Sequence, residues 1–144
     1  MKKILLVAAL SLPFLFFNHC KKDLNELSGT WSFTIVYNPY GGQTWSESGT
    51  ATLTMNGNKV TANVTMTTGE KYTRYFDVDG EKVVMKGTYT QPVASDPDKD
   101  EIVTYDGQGT FSGTSGTATG TYNQKIPDFQ VDESGTFTLT AQKK

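Results

Sequence analysis

The sequence predicts an all-β domain, an eight-stranded antiparallel up-and-down barrel, and three observations carry that expectation. Apolar and polar residues alternate along eight segments, which is the period of a strand with one face buried. Asn56-Gly57, Thr68-Gly69 and Asp79-Gly80 fall between consecutive segments, where glycine supplies the tight turn of a hairpin. Threonine is the commonest residue and occupies the polar positions, where a β-branched side chain suits a pleated, water-facing surface. Sequential hairpins of this number can close on themselves and leave an interior wide enough for side chains or one small ligand. A two-sheet β-sandwich is the competing arrangement.

The elements follow in order. Lys21 to Leu27 is polar and predicts a tether with at most one helical turn. Trp31, Phe33, Ile35 and Tyr37 share one face of the first strand; Ala51, Leu53 and Met55 mark the second, and Val60, Ala62, Val64 and Met66 the third. Tyr72, Arg74, Phe76 and Val78 define the fourth, and Val83, Met85 and Tyr89 the fifth. An acidic loop is expected from Pro92 to Asp100, then strands near Ile102 to Phe111, Thr114 to Tyr122 and Gly135 to Ala141. The Gly-rich run 107–120 has the composition of a disordered segment. Phe111, Thr117, Thr119 and Tyr122 interrupt it at strand spacing, so bent strands are expected, with glycines at bulges or corners.

The first residues differ in kind. Met1-Lys2-Lys3 is basic, and Ile4 to Phe17 is an apolar run broken only by Ser11 and Pro13, the layout of a secretory signal. That run is shorter than the roughly 20 residues a transmembrane helix needs. Residues 1–19 are therefore expected to be removed, leaving a lipidated tether at 20–27 and one domain at 28–144. Residues Leu15-Phe16-Phe17-Asn18-His19-Cys20-Lys21-Lys22-Asp23 resemble the lipobox of bacterial lipoproteins. The resemblance implies cleavage before Cys20 and acyl chains, palmitate among them, on that cysteine. It also implies the outer membrane as the location, with the leaflet open. Several acyl chains anchor firmly, because each buried CH₂ contributes ~0.8 kcal/mol.

The chain carries 13 basic and 15 acidic residues; without Lys2 and Lys3 the balance is 11 to 15, a net charge of −4. Nucleic acid is an unsuitable partner for such a chain, since its binding rests on clustered Lys and Arg. Arg74 is the sole arginine. The sole cysteine cannot form an internal disulfide, and a monomer is expected.

Leu27-Ser28-Gly29-Thr30-Trp31 is similar to the Gly-x-Trp signature that opens the barrel of lipocalins and fatty-acid-binding proteins, the calycin group. The resemblance implies a turn at Gly29 passing beneath the barrel, Trp31 plugging its closed end, and a small hydrophobic ligand inside. Lipocalins place an arginine near the end of the barrel over that tryptophan; Thr136-Phe137-Thr138-Leu139-Thr140 has none, so the likeness is to a lipocalin-like barrel. The ligand-binding candidates are Trp31, Phe33, Ile35, Tyr37, Leu53, Val64, Tyr72, Phe76, Met85 and Tyr89, with Arg74 available to a carboxylate head group. Such residues can equally fill a barrel completely. A lone charge on a strand is more often solvated than buried, so Arg74 is expected to face water.

Catalysis is not expected. Once His19 leaves with the signal, the remaining chain has no histidine and no second cysteine, which excludes Ser-His-Asp and Cys-His chemistry and a His/Cys zinc site. Asp96-Pro97-Asp98-Lys99-Asp100 has the carboxylate spacing of a calcium loop. Glu101 stands where such a loop needs glycine and Gly107 where it needs glutamate, so a solvated loop is expected, with no metal or cofactor. The competing function is an envelope interaction module with a filled barrel. It would act as an adhesin, an inhibitor or an assembly subunit through its loops or outer barrel face. Tyr40 and Trp45, which the sequence places exposed in the first loop, are candidates for that contact patch or equally for a lid over the barrel mouth.

Overall fold

The computed structural model describes residues 24–93 and 95–144; the expected signal segment and Cys20 lie outside the described residues. Eight antiparallel strands follow one another around a closed barrel: β1 (Gly29–Pro39), β2 (Trp45–Asn56), β3 (Lys59–Met66), β4 (Lys71–Asp79), β5 (Lys82–Val93), β6 (Asp96–Ser112), β7 (Ser115–Ile126) and β8 (Val131–Lys143). The ring closes where β8 pairs with β1, from Trp31 opposite Lys143 to Pro39 opposite Gly135. This is the up-and-down barrel the alternation predicts, and closure leaves no free outer strand.

Turn chemistry explains the sharp hairpins. Asn56 pairs with Lys59, Asp79 with Lys82 and Ser112 with Ser115, so each connection is two residues long. Gly57, Gly80 and Gly113 open these turns at φ 62°, 61° and 58°, and the residues after them stay at negative φ. That fits the II′ type, which puts glycine first. The expected Asn-Gly turn is thus displaced by one residue, with Asn56 still in the ladder.

The acidic segment from Pro92 to Asp100 is corrected from loop to strand. β5 runs to Val93 and β6 begins at Asp96, with a register shift between Pro92 and Val93. The Gly-rich run 107–120 is strand on both sides of the Gly113 turn. Its glycines serve packing, in place of the expected bulges. A Cβ on Gly116 would lie 2.0 Å from the Phe111 ring, and one on Gly107 or Gly120 would lie 2.7 or 2.8 Å from the Phe137 ring. The Phe111 and Phe137 rings take the space that a Cβ would need at these positions.

Inward residues form the core, and Trp31 and Val60 are its most deeply buried large side chains. A short 3-10 turn, Leu24–Leu27, precedes β1, and its Leu27 is buried in that same core. The outer positions of β2, β7 and β8 read Thr50, Thr52, Thr54, then Thr117, Thr119, Thr121, then Thr136, Thr138, Thr140. Along these three strands the outside of the barrel is a hydroxyl surface suited to water, unlike the apolar band of a membrane-spanning barrel.

Candidate ligand-binding cavity

Each inward strand position adds one side chain to the lumen, and two aromatic clusters divide that lumen into levels. At one end the Trp31 indole donates from Nε1 to the Leu27 carbonyl at 2.9 Å, and its ring meets Phe111 edge-on at 5.6 Å. At the other end Tyr37 stacks on Trp45 at 4.0 Å and meets Tyr122 edge-on at 5.0 Å. The Tyr37 and Tyr105 hydroxyls are 3.0 Å apart, and Tyr105 meets Phe137 edge-on at 5.6 Å.

Between these plugs lies a cavity of about 100 Å³. Of the residues expected to face a ligand, Trp31, Phe33, Ile35, Leu53, Val64, Tyr72, Arg74, Phe76, Met85 and Tyr89 all line it. Tyr37 points inward but belongs to the upper plug, outside the cavity wall. Trp45, expected exposed in a loop, begins β2 and is half-buried against Tyr37. Only Tyr40 of that pair is open to solvent, at 70% exposure.

The expectation for Arg74 is also corrected. It is 8% exposed and faces the cavity. Its guanidinium carbon sits 4.0 Å from the Tyr72 ring centre and 4.2 Å from that of Tyr89, a cation held between two aromatic faces. Nη1 donates to the Thr73 carbonyl at 3.2 Å and Nη2 to Gln91 Oε1. Among the described residues it forms no ion pair; the four that exist join Lys59, Lys86, Lys99 and Lys125 to aspartates. Its nearest electrostatic link to an acid is indirect: against the larger effect of burial, Arg74 lowers the Glu101 carboxyl, and Gln91 hydrogen-bonds to both, whereas buried charges are ordinarily paired in contact.

No protein-family model matches the chain, and no curated protein does. Among solved structures, a protein of unknown function from the DUF3598 family of Nostoc punctiforme aligns with 10% identity over 83% of this chain, at a TM-score of 0.49. This chain spans about half of it, 48%. The Rv2717c protein of M. tuberculosis aligns with 10% identity over 84% of this chain and 95% of its own, at a TM-score of 0.46. The barrel assignment rests on this chain's own ladder, which closes β8 onto β1.

Several site residues escaped the sequence reading. Lys143 lies 5.9 Å over the Trp31 ring and donates to the Glu26 carbonyl at 2.7 Å, covering the plug from the end of β8. Its signal was its place opposite Trp31, which needs the β1/β8 register. Tyr105, Phe137, Leu139 and Ala141 line the cavity too, and strand alternation from Phe111 or Ala141 would have found them. Gln91 continues the alternation of Tyr89, but the expected inward face of the fifth strand ends at Tyr89, just before the loop at Pro92.

Electrostatics grade from the apolar floor to the upper plug. Burial, then the charges of Glu101 and Glu70, raises the Glu47 carboxyl above its ordinary range, with the Tyr37 hydroxyl at 3.4 Å only partly offsetting this. Burial likewise raises Glu101, against a 2.9 Å hydrogen bond from Gln124. Tyr105 is pushed up to about 12, chiefly by burial. Tyr37, Tyr72 and Tyr122 are also raised by burial, so the tyrosines of this region are neutral donors and acceptors at physiological pH.

Proposed function

We propose that this protein is a lipid-anchored envelope lipoprotein whose barrel binds a small apolar molecule carrying a carboxylate. The observation that carries the reading is the buried Arg74 guanidinium, unpaired with any acid among the described residues, facing an otherwise apolar cavity. A carboxylate there gains charge-assisted, bidentate hydrogen bonds in a site largely shielded from water. Size narrows the choice. Sites for drug-sized ligands run from roughly 300 Å³, whereas a dry cavity of about 150 Å³ takes up benzene. About 100 Å³ is smaller still and suits a short-chain acid such as propionate, whose apolar body is smaller than benzene.

The anchor reading rests on the basic start, the short apolar run and Cys20, and the outer membrane follows from the lipobox resemblance. The interaction-module reading keeps Tyr40 as its exposed aromatic residue, but it requires a filled barrel, and this one holds a cavity.

One set of measurements tests the proposal. Native mass spectrometry of protein from its own host should show a co-purified small acid. Calorimetric titration with propionate should show binding that Arg74→Met weakens about 10- to 100-fold, the worth of a charged hydrogen bond. Equal affinity in the two proteins would remove Arg74 from the reading. Cys20→Ala should move the protein from the membrane to the aqueous fraction.

A further inference from the structure

The barrel wall is continuous everywhere but one place. β4 and β5 pair only at Asp77 with Val84, Val78 with Val83 and Asp79 with Lys82, beside their hairpin. Every other junction runs through seven or more pairs. From Lys71 to Phe76 on β4, and from Met85 to Val93 on β5, the two strands face each other without a ladder. The cavity lies directly behind this split, lined by Tyr72, Arg74 and Phe76 on one side and Met85 and Tyr89 on the other.

Among the described residues, only side chains cross it. The Tyr89 hydroxyl donates to the Tyr75 carbonyl at 3.1 Å, Arg74 reaches Gln91, and the Arg74 guanidinium sits between Tyr72 of β4 and Tyr89 of β5. Meanwhile the Trp31 and Tyr37 clusters occupy the two barrel ends. A split held by a few side-chain bonds opens at far lower cost than a continuous ladder.

We propose that the split between β4 and β5 is a lateral port for a small carboxylate, latched by Tyr89, Arg74 and Gln91. The inference rests on the ligand reading above and adds its route and its control. A carboxylate taking Nη2 of Arg74 releases Gln91, so binding and unlatching use the same guanidinium.

The test uses the full-length protein in detergent, with propionate as probe and stopped-flow tryptophan fluorescence as readout, since Trp31 lines the cavity. Tyr89→Phe keeps the ring and removes the bond to Tyr75. Association and dissociation should both accelerate, by about 2- to 10-fold for one hydrogen bond, while Trp45→Ala at the upper plug leaves both rates alone. Faster dissociation alone makes Tyr89 a simple contact and overturns the port. Acceleration in Trp45→Ala without an effect in Tyr89→Phe places the route at the barrel end and overturns it as well. Hydrogen exchange separates this outcome from failure of the ligand reading: segments 71–76 and 85–93 should exchange ahead of β6 and β7 without any ligand, and equal protection overturns the port whether or not propionate binds.

Discussion

Trp31 does two jobs through one side chain. Its rings fill one end of the barrel against Phe111, and its Nε1 supplies the partner that the Leu27 carbonyl needs once the preceding turn docks. Truncating a buried indole removes packing and leaves a void, at a cost of about 3–5 kcal/mol. Losing the hydrogen bond alone leaves a buried carbonyl unsatisfied, at about 1–3 kcal/mol. Urea unfolding should therefore rank Trp31→Ala well below Trp31→Phe, and Trp31→Phe below wild type. Equal losses would mean that the donor, and not the volume, governs the plug. Arg74 teaches a second lesson at this scale. Its position between Tyr72 and Phe76 already placed it on the inward side by alternation, and the rule that charges seek water argued the other way. Two aromatic faces and two hydrogen bonds make its burial tolerable.

Strands β6 and β7 show how an element of low side-chain volume can be an ordered one. Gly109 lies where a Cβ would come within 2.3 Å of the Thr117 carbonyl and 2.5 Å of the Ala118 methyl. Gly116 leaves its space to the Phe111 ring. Adding a methyl to either position forces backbone or ring to move, and overpacking of this kind costs about 1–3 kcal/mol. Gly109→Ala and Gly116→Ala should each lower the urea midpoint accordingly, while far-ultraviolet circular dichroism stays that of an all-β barrel. Tolerance of both would mean that the strands are loosely packed. The sequence made these two strands legible as strands, through Phe111 and Tyr122, but not the reason for their glycines, because the rings that lie over them are fixed by cross-strand register.

At the scale of the whole molecule, closing the barrel gathers carboxylates that are distant in sequence. Glu47 of β2 and Glu101 of β6 are both raised, by burial first and by like charge second or later. A carboxyl with a higher pKa in the folded state than in the unfolded one binds protons more readily when folded. Its stabilising contribution is then fully present below the unfolded carboxylate range, about 4.3 for glutamate, and is lost as pH rises through the folded value. Asp132, held down mainly by its hydrogen bond from Asn123, runs the opposite way at the surface. Glu47→Gln should raise the melting temperature at pH 7, by about 4 °C for each kcal/mol recovered. The gain should fade toward pH 4, where wild-type Glu47 is itself protonated; a gain that is constant with pH would point to packing instead of charge.

Local physics accounts for what the sequence determined by itself. Strand alternation follows from the two-residue period of the backbone, and the turn sites follow from glycine's access to positive φ; both act within a few residues, so eight strands, their inward faces and their order could be read directly. The tertiary structure alone decided the rest: that the Lys143 cation lies over Trp31, that Arg74 is sandwiched and forms no ion pair among the described residues, that a cavity of about 100 Å³ remains, and that β4 parts from β5. Each of these depends on register between strands far apart in the chain and on the summed volume of side chains meeting at the barrel axis, quantities that no single segment contains.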